Sequence, residues 1–331
     1  MKAIINRNAT TLEEAVDLAR QAREQNRSAA FSGGGTDLLQ QVKEGTVAPN
    51  ELINLRTVAG ADAITGTAEG INIGGLTTLT TLAGDALLRD RYAVLAQAAA
   101  SVGTPQIRNV GTLAGNVAQR PWCWYYRNGF PCFKAGGDQC FSVTGENGLH
   151  AIFGGGPSYI VHPSDLAPAL MVLDAGFDIV GPQGRRRRMA DEFFILPSQD
   201  PARENVLGDD ELLGGVSIPA LPDGARSAYH KVMDREAWTH AVVSVAAVLV
   251  MDGQRITRAR IVLGGVAPIP WRVPAAEALL QGQVLDPGLA ARAGAAAIAG
   301  AQPLARNAYK LPLTAAAVER TLLQLAAQQS A

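Results

Sequence analysis

The chain has 331 residues, 47% of them hydrophobic and 18% charged, with a formal net charge of −1. That length suggests two or three domains, and the apolar content excludes a disordered chain. Near-neutrality excludes an overall electrostatic pull toward nucleic acid or an anionic membrane. No run approaches the roughly 18 uninterrupted apolar residues of a membrane span. Met1 to Asn6 has neither an apolar h-region nor twin arginine, so no signal peptide of the chain's own is expected.

Residues 1–57 read as a small α/β unit with parallel pairing. Ala3 to Ile5 is a short strand, and Thr11 caps a helix with Glu14 three residues on, in capping-box spacing. Ala15, Leu18, Ala19 and Ala22 give that helix an apolar face. Ala29 to Phe31 is a strand that runs into the glycine turn Ser32-Gly33-Gly34-Gly35-Thr36-Asp37. A helix starts at Leu38, and Glu51 to Leu55 is a third strand.

From residue 58 to 222 strands and helices mix. Ala63 to Gly66 and Ile71 to Gly75 read as strands, and Thr77 to Leu88 and Ala93 to Ser101 as helices. Tyr159 to Val161 is a predicted strand. Asp165 caps a helix through Leu170, while Met171 to Leu173 and Phe177 to Val180 read as β-structure. Arg185 to Arg188 is the one dense charge run, expected as a basic hairpin tip or loop, with contact to an acidic partner or phosphate as the alternative. Leu207 to Ile218 closes this part, and Pro219 to Gly224 is a domain linker.

The last hundred residues predict an antiparallel sheet of Ser227 to Met233, Val242 to Met251 and Ile256 to Leu263, with a helix from Thr239 to Ala246 as an alternative. Alanine-rich helices follow around Ala275 to Leu280, Leu289 to Ile298 and Ala315 to Ala327.

Two stretches look suited to an anionic ligand. Ser32 to Asp37 follows a strand and precedes a helix, and its glycines allow close approach of a ligand to exposed N–H groups. It is neither Gly-x-Gly-x-x-Gly nor a Walker sequence, and a tight structural turn would look similar. Gly111-Thr112-Leu113-Ala114-Gly115-Asn116 offers a second surface of that kind, with side-chain hydrogen bonds from Thr112 and Asn116. Two nests about eighty residues apart suit a dinucleotide whose pyrophosphate lies between subdomains. Ser164 and Asp165 add a hydroxyl and a carboxylate for ribose or ring edges, and helix capping by Asp165 is compatible with that role.

Three stretches in this order, Ser32 to Leu39, Arg108-Asn109-Val110-Gly111-Thr112-Leu113-Ala114-Gly115-Asn116 and His162-Pro163-Ser164-Asp165, resemble the FAD-binding medium subunit of the molybdenum hydroxylases. That is the family of xanthine dehydrogenase, carbon monoxide dehydrogenase and bacterial aldehyde oxidoreductases. Tyr229-His230-Lys231-Val232 and Arg260 to Pro268 resemble its C-terminal domain, so the likeness covers nearly the whole chain. It implies an α+β protein: a two-subdomain FAD-binding (PCMH-type) domain over 1–222, then a C-terminal antiparallel sheet with helices over 226–331. It implies FAD, with Gly33 to Asp37 and Gly111 to Asn116 near the pyrophosphate and Arg108 and Asn109 beside them. Asp165 and Lys231 would lie near the flavin or its ribityl end; a surface lysine is the competing reading of Lys231.

All three cysteines, Cys123, Cys132 and Cys140, fall within one loop, about 119–158. An odd, clustered set argues for metal binding or plain thiols over a disulfide framework. The spacing is not the short rhythm of common ferredoxins, and zinc with a fourth ligand is an alternative. The surroundings Pro121 to Tyr126 and Lys134 to Gly137 resemble the insertion of one family branch, whose flavin subunits carry an extra 4Fe-4S cluster on four cysteines. Ser158 or His150 stands where the fourth is expected, with water at the fourth iron or a vestigial, empty loop as alternatives. A site with one non-cysteine ligand would be more labile and shifted in potential.

The resemblance further implies two partners, a small subunit with two 2Fe-2S clusters and a large molybdenum-cofactor subunit that hydroxylates an aldehyde or N-heterocycle. Electrons would pass through FAD to an external acceptor, and no catalytic acid, base or nucleophile is needed in this chain. His150, His162, His230 and His240 form no metal or triad spacing. A stand-alone flavin oxidase or dehydrogenase is the second reading and a nucleotide-binding assembly protein the third. The expected location is the cytoplasm, or the periplasm by co-export with a partner.

Overall fold

The computed structural model describes residues 3–237 and 239–328; Met1, Lys2, Trp238 and residues 329–331, which include the ends of the expected domains, lie outside them. The chain begins with β1 (Ile5–Asn8), α1 (Leu12–Glu24), β2 (Ala29–Ser32), α2 (Leu38–Glu44) and β3 (Glu51–Asn54). The strands form a parallel sheet in the order β1-β3-β2, as the α/β reading predicts. The first strand lies a few residues later than expected. Thr11 caps α1 by accepting from the Glu14 N–H at 3.0 Å. The Glu14 carboxylate reaches back to the Thr10 N–H at 2.6 Å, so the box closes one residue early. The buried face of α1 holds Ala15, Val16, Ala19 and Ala22 and packs on Ile53 and Leu55, with Leu18 only partly buried.

Next come β4 (Ile64–Thr67), β5 (Gly70–Gly74), α3 (Leu79–Gly84), α4 (Ala86–Arg91), α5 (Ala93–Ala100), α6 (Pro105–Val110), α7 (Leu113–Val117), α8 (Trp124–Arg127), α9 (Leu166–Val172), β6 (Gly176–Gly181), β7 (Gly184–Met189), α10 (Ala190–Phe193) and β8 (Leu212–Pro219). Their five strands pair antiparallel in the order β4-β5-β8-β6-β7. The helix expected over Thr77 to Leu88 is broken at Asp85. That residue is extended (φ −64°, ψ 128°), and its carboxylate accepts from the Leu88 N–H, so it starts a second helix.

Three other expectations change. Tyr159 to Val161 is in no strand. Met171 and Val172 end α9 rather than forming a strand; every residue of α9 is buried, and a short apolar run does not tell a buried helix from a strand. Arg185 to Arg188 is the body of edge strand β7, not a hairpin tip. Its arginines pair with Glu13, Glu211, Asp178 and Glu192.

The C-terminal part holds β9 (Ala225–Val232), β10 (Val243–Asp252), β11 (Arg255–Gly264), β12 (Trp271–Arg272), α11 (Pro274–Leu280), α12 (Pro287–Ala297) and α13 (Lys310–Ala327). The sheet is antiparallel in the order β12-β11-β10-β9. The helical alternative for Thr239 to Ala246 is excluded, because β10 occupies Val243 onward. One face of the sheet packs on α11, α12 and α13, and the other meets the core around α5 and α9. Burial on both faces explains why β10 is a continuous apolar run without alternation.

Candidate functional site

The two glycine stretches are in contact. Gly34 presses on the end of α6: a Cβ built there would lie 1.8 Å from the Val110 carbonyl oxygen. A Cβ on Gly33 would lie 3.1 Å from Thr112 Oγ1, and one on Gly111 would lie 3.7 Å from Thr36 Oγ1. Gly35 holds φ +73°, where glycine is favoured. The second stretch is tied to the β5–α3 turn by the Leu113 N–H on Thr77 O and the Ala114 N–H on Gly75 O, both 2.9 Å. Thr112 caps α7 by accepting from the Gly115 N–H at 3.2 Å. Sequence inspection missed α6 and α7. The signal was there in the cap residues Thr104 and Thr112, each followed by a helix too short to show a period.

A cavity of about 430 Å³ opens beside this contact. Of the expected residues, Thr36, Asp37, Gly111, Thr112, Gly115, Asn116 and Asp165 line it, together with Leu79, Ile107, Trp122 and His240. A larger cavity of about 890 Å³ lies over the edge strand β2. It is lined by Ala30, Phe31, Leu38, Ala118 and Arg120 and by residues 203–205 and 207–211. Gly34, Asn109 and Thr112 line a third, of about 230 Å³. Ser32, Gly33, Gly35, Arg108, Ser164 and Lys231 line none of the three.

Several of these residues hold the site's shape. Arg108 donates to Val102 O at 2.9 Å, and Asn109 Oδ1 accepts from Thr80 Oγ1 at 2.7 Å. Ser164, not Asp165, caps α9: its Oγ accepts from the Ala167 N–H at 3.0 Å and donates to Asn116 Oδ1 at 2.6 Å. The Asp165 carboxylate turns instead toward β9, accepting from Tyr229 OH and from Lys231 Nζ, each at 2.7 Å. Lys231 is therefore not a surface lysine; its side chain is 3% exposed and also donates to Ser101 O. Tyr229 was not anticipated. Burial and the Asp165 charge push its phenol pKa well up, so it remains a proton donor. Asp37 accepts from Arg127, from Gln41 and from the Arg120 N–H, which fastens the cysteine loop to α2.

The three cysteines are free thiols. Cys123 Sγ lies 3.4 Å from His150 Nε2. Cys140 Sγ lies 3.1 Å from Ser142 Oγ and accepts from the Tyr159 N–H at 3.5 Å. Ser158, the residue before that amide, is buried. Burial pushes the Cys123 thiol up to about 11, against hydrogen bonds from the Tyr126 and Tyr125 amides that favour the thiolate. Tyr125, Phe130, Phe141 and His150 form a set of ring contacts in this loop. Trp122 and Tyr126 instead face the Arg127 guanidinium. Among the described residues no three His, Cys, Asp or Glu side chains converge on one metal ion, so the zinc reading finds no site. His162 is buried and pushed down to about 3 by desolvation; its neutral ring accepts from the Ser164 N–H and is no base at neutral pH.

A parallel α/β unit and an antiparallel sheet domain, meeting through two glycine nests beside ligand-sized cavities, define a nucleotide-cofactor-binding α+β protein. Residues 6–221 match the family model described as the FAD binding domain in molybdopterin dehydrogenase, and residues 228–325 match the CO dehydrogenase flavoprotein C-terminal domain. The chain belongs to this family of FAD-binding molybdopterin dehydrogenase flavoproteins, and it is an oxidoreductase subunit. It is 36% identical to the aldehyde oxidoreductase FAD-binding subunit PaoB of Escherichia coli, over 100% of this chain and 99% of the relative. It is 26% identical to the carbon monoxide dehydrogenase medium chain of Hydrogenophaga pseudoflava, over 89% and 88% of the two. Among solved structures, carbon monoxide dehydrogenase from that organism matches with a TM-score of 0.77 at 25% identity, covering 100% of this chain and 99% of that one. Quinoline 2-oxidoreductase from Pseudomonas putida shares the fold, with a TM-score of 0.76 over 99% of both chains at 24% identity. Among the described residues no helix is long and apolar enough to cross a membrane.

Proposed function

We propose that the chain seats FAD across the two nests and serves as the electron exit of a molybdenum hydroxylase complex. In that complex a small chain with 2Fe-2S centres delivers electrons, and a large molybdenum chain oxidises an aldehyde or N-heterocycle. The observation that carries the reading is the Gly34–Val110 contact, which brings two amide-rich turns onto one surface. The amides of Gly33 to Asp37 and of Thr112, with the Asn116 side chain beside them, would take the diphosphate; the other N–H groups of the second stretch are engaged within the protein. The flavin half would occupy the 430 Å³ cavity. The adenosine half would run past Leu38 and Ala118 into the 890 Å³ cavity, whose lining includes Phe31 and Leu38 on either side of the first turn. When bound, FAD supplies the redox chemistry. Tyr229 and Lys231 hold the Asp165 carboxyl in place at the cavity wall, where it can accept from cofactor hydroxyls.

The same reading places a 4Fe-4S cluster on Cys123, Cys132 and Cys140, with Ser158 as the fourth ligand. Support comes from the gathering of all three cysteines in one loop and from the Tyr159 N–H on Cys140 Sγ. Buried thiols gain little from N–H groups, whereas metal-bound thiolates gain much.

Purified with its partner chains, the protein should show flavin absorbance with one FAD per chain, an iron–sulfur shoulder and acid-labile sulfide. A preparation that is colourless and does not bind added FAD would overturn the flavin reading. Flavin bands with turnover by the isolated chain would favour the stand-alone oxidase.

A further inference from the structure

The hairpin of β9 and β10 carries Lys231, held by Asp165, on one arm and His240 just before the other. The Val242 N–H on Val232 O, at 2.9 Å, closes the hairpin beside His240, whose side chain lines the 430 Å³ cavity. The imidazole is half-buried and lies 5.1 Å, centroid to centroid, from the ring of Trp122. Trp122 lines the same cavity and also carries the Arg127 guanidinium, 4.3 Å away, so it supports the imidazole from a fixed position. Among the described residues, the side chains in this lining that can carry charge are Asp37, Asp165, Arg235 and His240. Asp37 is bonded to Arg127 and Asp165 to Lys231, each at 2.7 Å. Of these residue types, only imidazole ordinarily exchanges a proton between pH 5 and 8. Burial pushes His240 below its ordinary 6.5; Asp165 opposes that shift, and Lys231 and Arg127 add to it. The ring is therefore neutral at pH 7 and has a proton to gain.

We infer that His240 takes up a proton when the cofactor in this cavity is reduced and releases it when the cofactor is reoxidised. The inference rests on the flavin reading above. Two electrons from the 2Fe-2S centres and one proton from solvent leave a flavin with one negative charge. That charge beside a neutral imidazole favours the imidazolium, so His240 takes a second proton from solvent at its free ring nitrogen. When the external acceptor removes the two electrons, both protons return to solvent. The cavity then carries the same net charge in both states, which avoids the cost of an unpaired charge away from bulk water.

The test compares the wild-type complex with its His240→Phe and His240→Gln variants. FAD is counted per chain, and the flavin midpoint is read by spectroelectrochemical titration between pH 6.5 and 7.5. Each proton taken up with two electrons changes the equilibrium constant tenfold per pH unit, which is about 30 mV. The wild-type midpoint should fall by two such steps per pH unit, about 60 mV, and that of each variant by one. Equal slopes in the wild type and a FAD-replete variant would overturn the inference, as would a one-step slope in the wild type. Loss of FAD from both variants would make His240 part of the seat rather than its proton exchanger, and would also overturn it. A wild-type complex that neither contains nor binds FAD would remove the flavin reading, and the inference with it.

Discussion

The 430 Å³ cavity and the cysteine loop lie side by side, joined at Trp122 and Cys123, and are built by opposite means. Around the cavity the backbone does the shaping: Gly34 lets main chain rest against the Val110 carbonyl, Gly33 and Gly111 let side chains close in on the turns, and short capped helices fix them. In the loop, regular structure is limited to α8 and a single 3₁₀ turn at Phe133–Ala135, and side chains do the fastening. Arg127 alone reaches Asp37, Glu44 and the carbonyls of Pro121 and Arg120, under the faces of Trp122 and Tyr126. Lys134 joins Glu204 and Arg203 O from the far side. A backbone-built site tolerates no added atoms, whereas a side-chain-built one tolerates no lost partners.

The largest effect should therefore come from one methyl group. Gly34→Ala places a Cβ on the Val110 carbonyl, so the nests must part, at a cost of upwards of about 3 kcal/mol. Denaturant unfolding and FAD content measure it, and a stable, fully flavinated variant would break the comparison. Arg127→Leu comes next. It leaves Asp37 and Glu44 without their cation, at about 3 kcal/mol, the low end for buried pairs because both carboxylates stay partly hydrated. Its loss should fall on the loop: thiol labelling of Cys123 and Cys140 should speed up well before flavin is lost. Simultaneous loss of both would show that the two regions unfold as one.

The smallest effect is a pH slope at His162, on the segment between the regions. Its folded pKa of about 3 lies below the ordinary value of 6.5. As pH falls below 6.5 the unfolded chain takes up a proton that the folded chain refuses, so stability falls with pH from 6.5 toward 3. One such group gives about 1.4 kcal/mol per pH unit once past 6.5, so about 1 kcal/mol by pH 5.5. His162→Phe should flatten that slope in urea titrations at pH 7.0 and 5.5. An unchanged slope would point to other groups, with His150, pushed down to about 4, the first to test.

Much of the architecture was legible because its signals are local. The Thr11 cap, the glycine turn after β2 and the three C-terminal strands each follow from residue type and spacing. What was misread lacked a local signal. Met171 and Val172 are apolar enough for either state, and only their contacts make them helix. Arg185 to Arg188 looked like a loop because the acids that neutralise it come from α1, β6, α10 and the turn before β8. Lys231 reads as an ordinary surface lysine until β9 places it beside Asp165.

From residue identity alone came the elements, the two glycine stretches and the single loop that holds every cysteine, since caps, periodicity and small residues act over a few positions. Tertiary structure decided that Gly34 rests on Val110, that Asp165 faces Tyr229 and Lys231 rather than capping its helix, and that His150 reaches Cys123. Those contacts join residues from 27 to 76 positions apart in the chain, and burial, which turns each from incidental into costly to lose, exists only once the sheets and helices have closed around them.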